Sequence, residues 1–111
     1  MASDLPSVDV ATAVAASNSV LLDVRENDEW MPGHAAHATH IPMGEIVQRV
    51  DEIDRTKQIV CICRSGGRSA RVTQWLVEQG FDAVNMAGGM YAWANAQYPI
   101  VNEAGSPGVV L

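Results

Sequence analysis

Residues 63–69 read Cys-Arg-Ser-Gly-Gly-Arg-Ser, a dense gathering of groups able to do chemistry in a 111-residue chain. A thiol comes first. Gly66 and Gly67 let the backbone curl with positive φ and turn its N–H groups inward. A helical pattern starts at once afterwards, adding unpaired amide donors and the positive end of a helix dipole. Arg64, Arg68 and Arg71 place three of the seven basic residues here, in a chain with thirteen Asp and Glu and a net charge of −6. Amides converging in a concave loop bind anionic oxygens or an anionic sulfur. The same field lowers a cysteine pKa from its free value of about 8.5. Each unit of lowering is worth roughly 1.4 kcal/mol of preference for the thiolate. These residues predict Cys63 as a nucleophile. The competing reading is a buried structural cysteine before a Gly-Gly turn. The coincidence of glycines, arginines and a following helix favours the nucleophile.

The elements around the loop must hold it. Asp9 is an expected N-cap, with Val10, Ala13 and Val14 at helical spacing behind it. Val20-Leu21-Leu22-Asp23-Val24 suits a buried parallel strand, and Asn27 to Met31 suits one helical turn, stopped by Pro32-Gly33. Gly33 to Pro42 has no clear period and is expected as loop, ending in an extended Thr39-His40-Ile41. Ile46, Val50 and Ile53 fall at i, i+4, i+7 and predict a helix. Ile59 to Cys63 is a second buried strand. Ser69 to Gln79 is a helix with Val72, Trp75 and Leu76 on one side and Gly80 just past its end. Ala83 to Met86 is a third strand, and Gly88-Gly89 opens a last helix bearing Met90, Trp93 and Ala94. Strands alternating with helices predict an α/β fold with a central, mainly parallel sheet flanked by helices on both faces. In such sheets ligands sit beyond the carboxyl ends of strands, where Cys63 stands. One domain over residues 1–103 and a tail over 104–111 are expected, the tail frayed rather than docked.

Composition narrows the function. At 48% hydrophobic and 18% charged residues the chain can bury a core. Its acidity argues against nucleic acid or anionic membrane as partners. No run approaches the roughly 18 apolar residues of a membrane span. The first residues, MASDLPSVDV, lack the basic start of a secretory signal. Two cysteines as close as Cys61 and Cys63 are not a disulfide framework and predict free thiols in a reducing compartment. The expectation is a cytoplasmic protein, a trimmed precursor aside.

Taken together, these motifs resemble the single-domain rhodaneses, which are sulfurtransferases. The family's loop is Cys-x-x-Gly-x-Arg-Ser, and Cys63 to Ser69 matches every fixed position. Leu22-Asp23-Val24-Arg25-Glu26 with Glu29-Trp30, Gly33-His34, Ile41-Pro42, Gly88-Gly89 with Trp93, and Tyr98-Pro99 are similar to further family segments in the right order, over roughly residues 8 to 101. The resemblance implies a rhodanese-like fold and a reaction. Cys63 would take the sulfane sulfur of a small anionic donor such as thiosulfate and hold it as a persulfide. A thiol, a protein cysteine or cyanide would then accept it, with no metal or organic cofactor. The alternative is a non-catalytic or carrier module relaying sulfur between partner proteins, and a more distant one an interaction domain with an idle cysteine.

Within this reading Arg64 and Arg68 hold sulfonate-like oxygens by charge and forked geometry. Arg68 serves equally well as a structural tie. Ser65, Gly66 and Gly67 supply backbone N–H groups. Ser69 caps the helix, the simpler reading, or hydrogen-bonds the sulfur. Arg71 is a solvated face residue or a steering charge. The fold also resembles that of certain dual-specificity phosphatases and arsenate reductases, whose loops put five residues between Cys and Arg. Here four intervene, which favours a sulfur atom over a phosphate group.

Other residues invite weaker readings. Cys61, on the same strand face as Cys63, is a small buried hydrophobe or a resolving thiol, and a Cys-x-Cys bridge would be strained. His34, His37 and His40 have a metal-like spacing but need not converge in a loop, so no metal is expected. His37 stands where the family usually has Gly. Asp23 is expected to tie a loop, Arg25 to pair with an acid such as Glu29, and Trp30, Trp75 and Trp93 to be core. Asp51, Glu52 and Asp54 are expected as a solvated face.

Overall fold

The computed structural model describes residues 5–111. Seven strands and four helices form: β1 Ser7–Val8, α1 Val10–Ala15, β2 Ser19–Asp23, α2 Asn27–Trp30, β3 His34–Ala35, β4 Thr39–His40, β5 Gln58–Ile62, α3 Gly67–Glu78, β6 Ala83–Met86, α4 Gly89–Asn95 and β7 Ile100–Val101. Five strands make one sheet in the order β1-β6-β5-β2-β4, all pairs parallel. β3 and β7 pair antiparallel in a separate ribbon.

The central strand β5 sorts its side chains by the two-residue period of a strand. Ile59 and Cys61 pack with Val72 and Leu76 of α3 and with Ile46 and Ile53, while Val60 and Ile62 pack with α1 and α4 on the other face. Cys63, one step past β5, continues the first set. That period delivers its side chain beneath the start of α3. Helices therefore cover both faces, as expected.

Local signals set the element ends. Asp9 caps α1, its side chain accepting the Thr12 N–H at 2.8 Å. Gln79 is the C-cap of α3 and Gly80 follows it. The start of α3 differs from expectation. Gly66 is the N-cap and the helix begins at Gly67, so Ser69 is its third residue and does not cap.

Four further differences have physical reasons. The expected helix through Ile46, Val50 and Ile53 is two short 3-10 turns, Met43–Glu45 and Val50–Glu52. Ile46 and Ile53 are buried as the spacing required, but Gly44 and the β-branched residues weaken a continuous helix. β1, β3 and β7 were not legible locally, because each is two residues long and exists through a distant partner. The end of the chain docks instead of fraying: Gly108 N–H donates to Ile100 O at 3.0 Å and Val109 N–H to Pro32 O at 3.0 Å. Trp93 is core, whereas Trp30 and Trp75 are half-buried.

Among the described residues no helix is long and apolar enough to cross a membrane.

Candidate active site

The loop between β5 and α3 closes around the Cys63 sulfur. Gly66 has φ +114°, a conformation that L side chains rarely adopt. It turns the Gly66 N–H onto Cys63 Sγ at 3.0 Å. The Ser69 hydroxyl lies 3.3 Å from the same sulfur. Burial pushes the Cys63 thiol up. The Ser69 hydroxyl and the backbone amides of Ser69, Gly66 and Ser65 outweigh it, and the net direction is down. Cys61 behaves oppositely: burial drives its thiol up to about 11. Both thiols are unbridged. The two neighbouring thiols thus sit in opposite environments, Cys63 among hydrogen-bond donors and Cys61 dominated by burial.

Cys63 keeps 1% of its surface exposed and lies at a cavity of about 350 Å³ lined also by Arg64, Ser65, Gly67, Arg68 and Arg71. Three guanidinium groups and the N-terminus of α3 make it electropositive in an acidic molecule. Arg68 is engaged: its two terminal nitrogens donate to Glu29 Oε1 and Oε2 at 2.7 and 2.8 Å. Among the described residues no carboxylate pairs with Arg64 or Arg71. Arg64 also lies over the Tyr91 ring, 5.9 Å from its centroid. Arg71, left open as a face residue, therefore joins the wall.

Neighbouring elements brace the loop. The first amides of α4 reach into it, Met90 N–H donating to Cys63 O at 2.8 Å and Tyr91 N–H to Arg64 O at 3.0 Å. A Cβ on Gly89 would collide with those same two carbonyls, which is why the backbones can approach so closely. From β6 the side chain of Asn85 donates to Gly66 O at 3.2 Å. Asn85 was not among the expected site residues. Its signal is a lone amide within the otherwise apolar Ala83-Val84-Asn85-Met86.

The second charged cluster corrects the pairing of Arg25. Its guanidinium binds Asp23, with Nε and Nη2 2.8–3.1 Å from the carboxylate oxygens, and both residues are 0% exposed. Asp23 ties the loop as expected, its Oδ1 accepting the Arg25 backbone N–H at 3.0 Å, and holds this arginine as well. Glu29 is committed to Arg68 instead, which holds its carboxyl down at about 2.

The three histidines do different work. The His34 ring is stacked 3.4 Å from Trp30 and the His40 ring 4.6 Å from it. His34 Nδ1 donates to Trp30 O and His40 Nε2 to Arg25 O, which fixes both rings against Trp30. His37, where the family usually has Gly, has φ +68°, a backbone conformation that glycine adopts without strain. Among the described residues no cluster of three ligating side chains forms.

A family model described as the rhodanese-like domain matches residues 8–96. The chain belongs to the rhodanese-like family. It is similar to YtwF of Bacillus subtilis, 47% identical over 79 residues, which are 71% of this chain and 77% of that one. A protein of Allochromatium vinosum named a sulfurtransferase is 36% identical over 107 residues, 95% of this chain and 100% of its own. The crystal structure of a rhodanese-related protein from Thermoplasma volcanium superposes with a TM-score of 0.83 at 31% identity, covering 88% of this chain and 99% of that one. Rhodanese-type sulfur transfer is therefore the activity at the level of the family.

Proposed function

We propose that Cys63 carries the transferred sulfur. The observation that supports this most directly is the sulfur itself, held by the Gly66 amide at 3.0 Å at the floor of an arginine-lined cavity. Ionised Cys63 attacks the outer sulfur of thiosulfate. The Sγ–S bond forms as the S–S bond of the donor breaks, and the electron pair leaves with sulfite. Donor, persulfide and leaving group are all anionic, so donors fixed around the sulfur stabilise charge at each stage. Arg64 and Arg71 face the oxyanion. Arg68, held by Glu29, keeps the loop shaped and adds its charge to the wall. Cyanide or a thiolate then attacks the outer sulfur of the persulfide, takes it away and returns Cys63 as thiolate.

The test is intact-protein mass spectrometry after mixing with thiosulfate. One added sulfur located on Cys63, absent from Cys63→Ser and released by cyanide as thiocyanate, is the expected result. A native chain that stays unloaded by thiosulfate and by a protein persulfide donor would overturn the proposal. Loading by the protein donor alone would assign the chain to the relay alternative.

A further inference from the structure

The Ser69 hydroxyl faces three acceptors: Asn85 Oδ1 at 2.6 Å, Cys63 Sγ at 3.3 Å and Gly66 O at 3.3 Å. A hydroxyl has one proton and satisfies one of them at a time. Asn85 is the nearest. Its amide is also engaged at the other end, where Nδ2 donates to Gly66 O at 3.2 Å. Ser69 and Asn85 are both buried, so an unmatched polar atom is costly here. Suppose Ser69 turned its proton to the sulfur with Asn85 fixed. Its oxygen would then face Asn85 Oδ1 across 2.6 Å with no proton between them. Turning the amide over would repair that contact and set its oxygen against the Gly66 carbonyl. Either arrangement loses one pair.

We propose that Asn85 is a positioning residue of the sulfur-transfer site: it competes with Cys63 for the Ser69 proton and pins the Gly66 carbonyl. The inference rests on the reading of Cys63 as the sulfur-carrying nucleophile and adds a control from a neighbouring strand. The hold of the Ser69 hydroxyl on the sulfur applies only while its proton faces Sγ, so with Asn85 competing the sulfur receives from Ser69 the difference between two hydrogen bonds. That has a chemical use, since the intrinsic nucleophilicity of a thiolate falls as its pKa falls. By drawing the Ser69 proton away, Asn85 limits how far Cys63 is stabilised as thiolate and so preserves its nucleophilicity.

The experiment is a double-mutant cycle read by the pH midpoint of Cys63 alkylation, mapped by peptide mass. The variants are Ser69→Ala, Asn85→Leu and the pair. Around the sulfur, Arg64, Arg68 and Arg71 from the loop and α3, Glu29 from α2, Cys61 from β5 and Tyr91 from α4 stay unchanged throughout. In the native background Ser69→Ala should raise the midpoint only slightly. With Asn85 gone, Cys63 Sγ and Gly66 O are the acceptors left to the hydroxyl, both at 3.3 Å; the ionised sulfur is the stronger of the two, and the same substitution should raise the midpoint by about one pH unit more, as expected for a hydrogen bond to an ionised group. An equal effect in both backgrounds would overturn the proposal, because a merely structural Asn85 predicts additivity. Asn85→Ala, which adds no bulk, runs the same cycle if Asn85→Leu does not fold. Thiosulfate loading of the native chain is measured separately. Its failure, together with failure of loading by a protein persulfide donor, would sink the persulfide reading while the cycle still judges the competition.

Discussion

Gly66 and Gly67 are adjacent and alike in sequence, yet replacing each by alanine should act in opposite directions. Gly66 has φ +114°, and an added Cβ would have room, its nearest neighbour lying 3.6 Å away. The obstacle is backbone strain, which costs about 1–3 kcal/mol for a side chain held in so sparsely populated a region. If the loop relaxes to avoid it, the Gly66 N–H leaves Cys63 Sγ. A hydrogen bond to an ionised group is worth about 1.5–3 kcal/mol, or about one to two pH units in the thiol midpoint. Gly67 is the first residue of α3, and a Cβ there meets nothing within 4 Å. Gly67→Ala should stabilise the chain by about 0.4–1 kcal/mol through the unfolded state and leave the Cys63 midpoint unchanged. Urea unfolding and the pH profile of Cys63 alkylation read both quantities. A Gly66→Ala chain with native stability and a native thiol midpoint would refute the assignment of the Gly66 amide to the sulfur.

Three other outcomes follow from contacts away from the sulfur. Glu29 titrates at about 2 in the folded chain against an ordinary 4.5; its ion pair therefore contributes stability above pH 4.5 that is lost as the pH falls towards 2. The stability difference between the native chain and Glu29→Gln should shrink over that window, and a difference constant from pH 6 to pH 3 would argue against the pair. Asp23→Ala leaves the fully buried Arg25 charge uncompensated and should cost about 3–5 kcal/mol in urea unfolding; a loss under about 1 kcal/mol would show that Arg25 finds another partner. His37→Gly relieves an exposed residue at φ +68° and should raise stability by up to about 1 kcal/mol, the strain outweighing the entropy of the added glycine; a lower melting temperature would count against that balance.

What the sequence alone determined was whatever depends on neighbours along the chain. The apolar runs of β2, β5 and β6, the amphipathic period of α3, the Asp9 cap and the spacing from Cys63 to Ser69 are local patterns, and each element they predict lies within two residues of its expected bounds. They sufficed to name the fold and the family. The tertiary structure decided what depends on residues brought together from far apart. Two-residue strands such as β3 have no period of their own, and β7 supplies the partner. Arg25 had four acids within reach in sequence, Asp23, Glu26, Asp28 and Glu29, and the burial of Asp23 beside it freed Glu29 to hold Arg68 across 39 positions. Asn85 reads as one polar residue in an apolar strand until β6 lies beside β5 and sets its amide against Gly66 and Ser69. The loop's chemistry is written in consecutive residues because it uses their own backbone amides, whereas its tuning comes from side chains that only the parallel sheet and the packing of α2 bring to it.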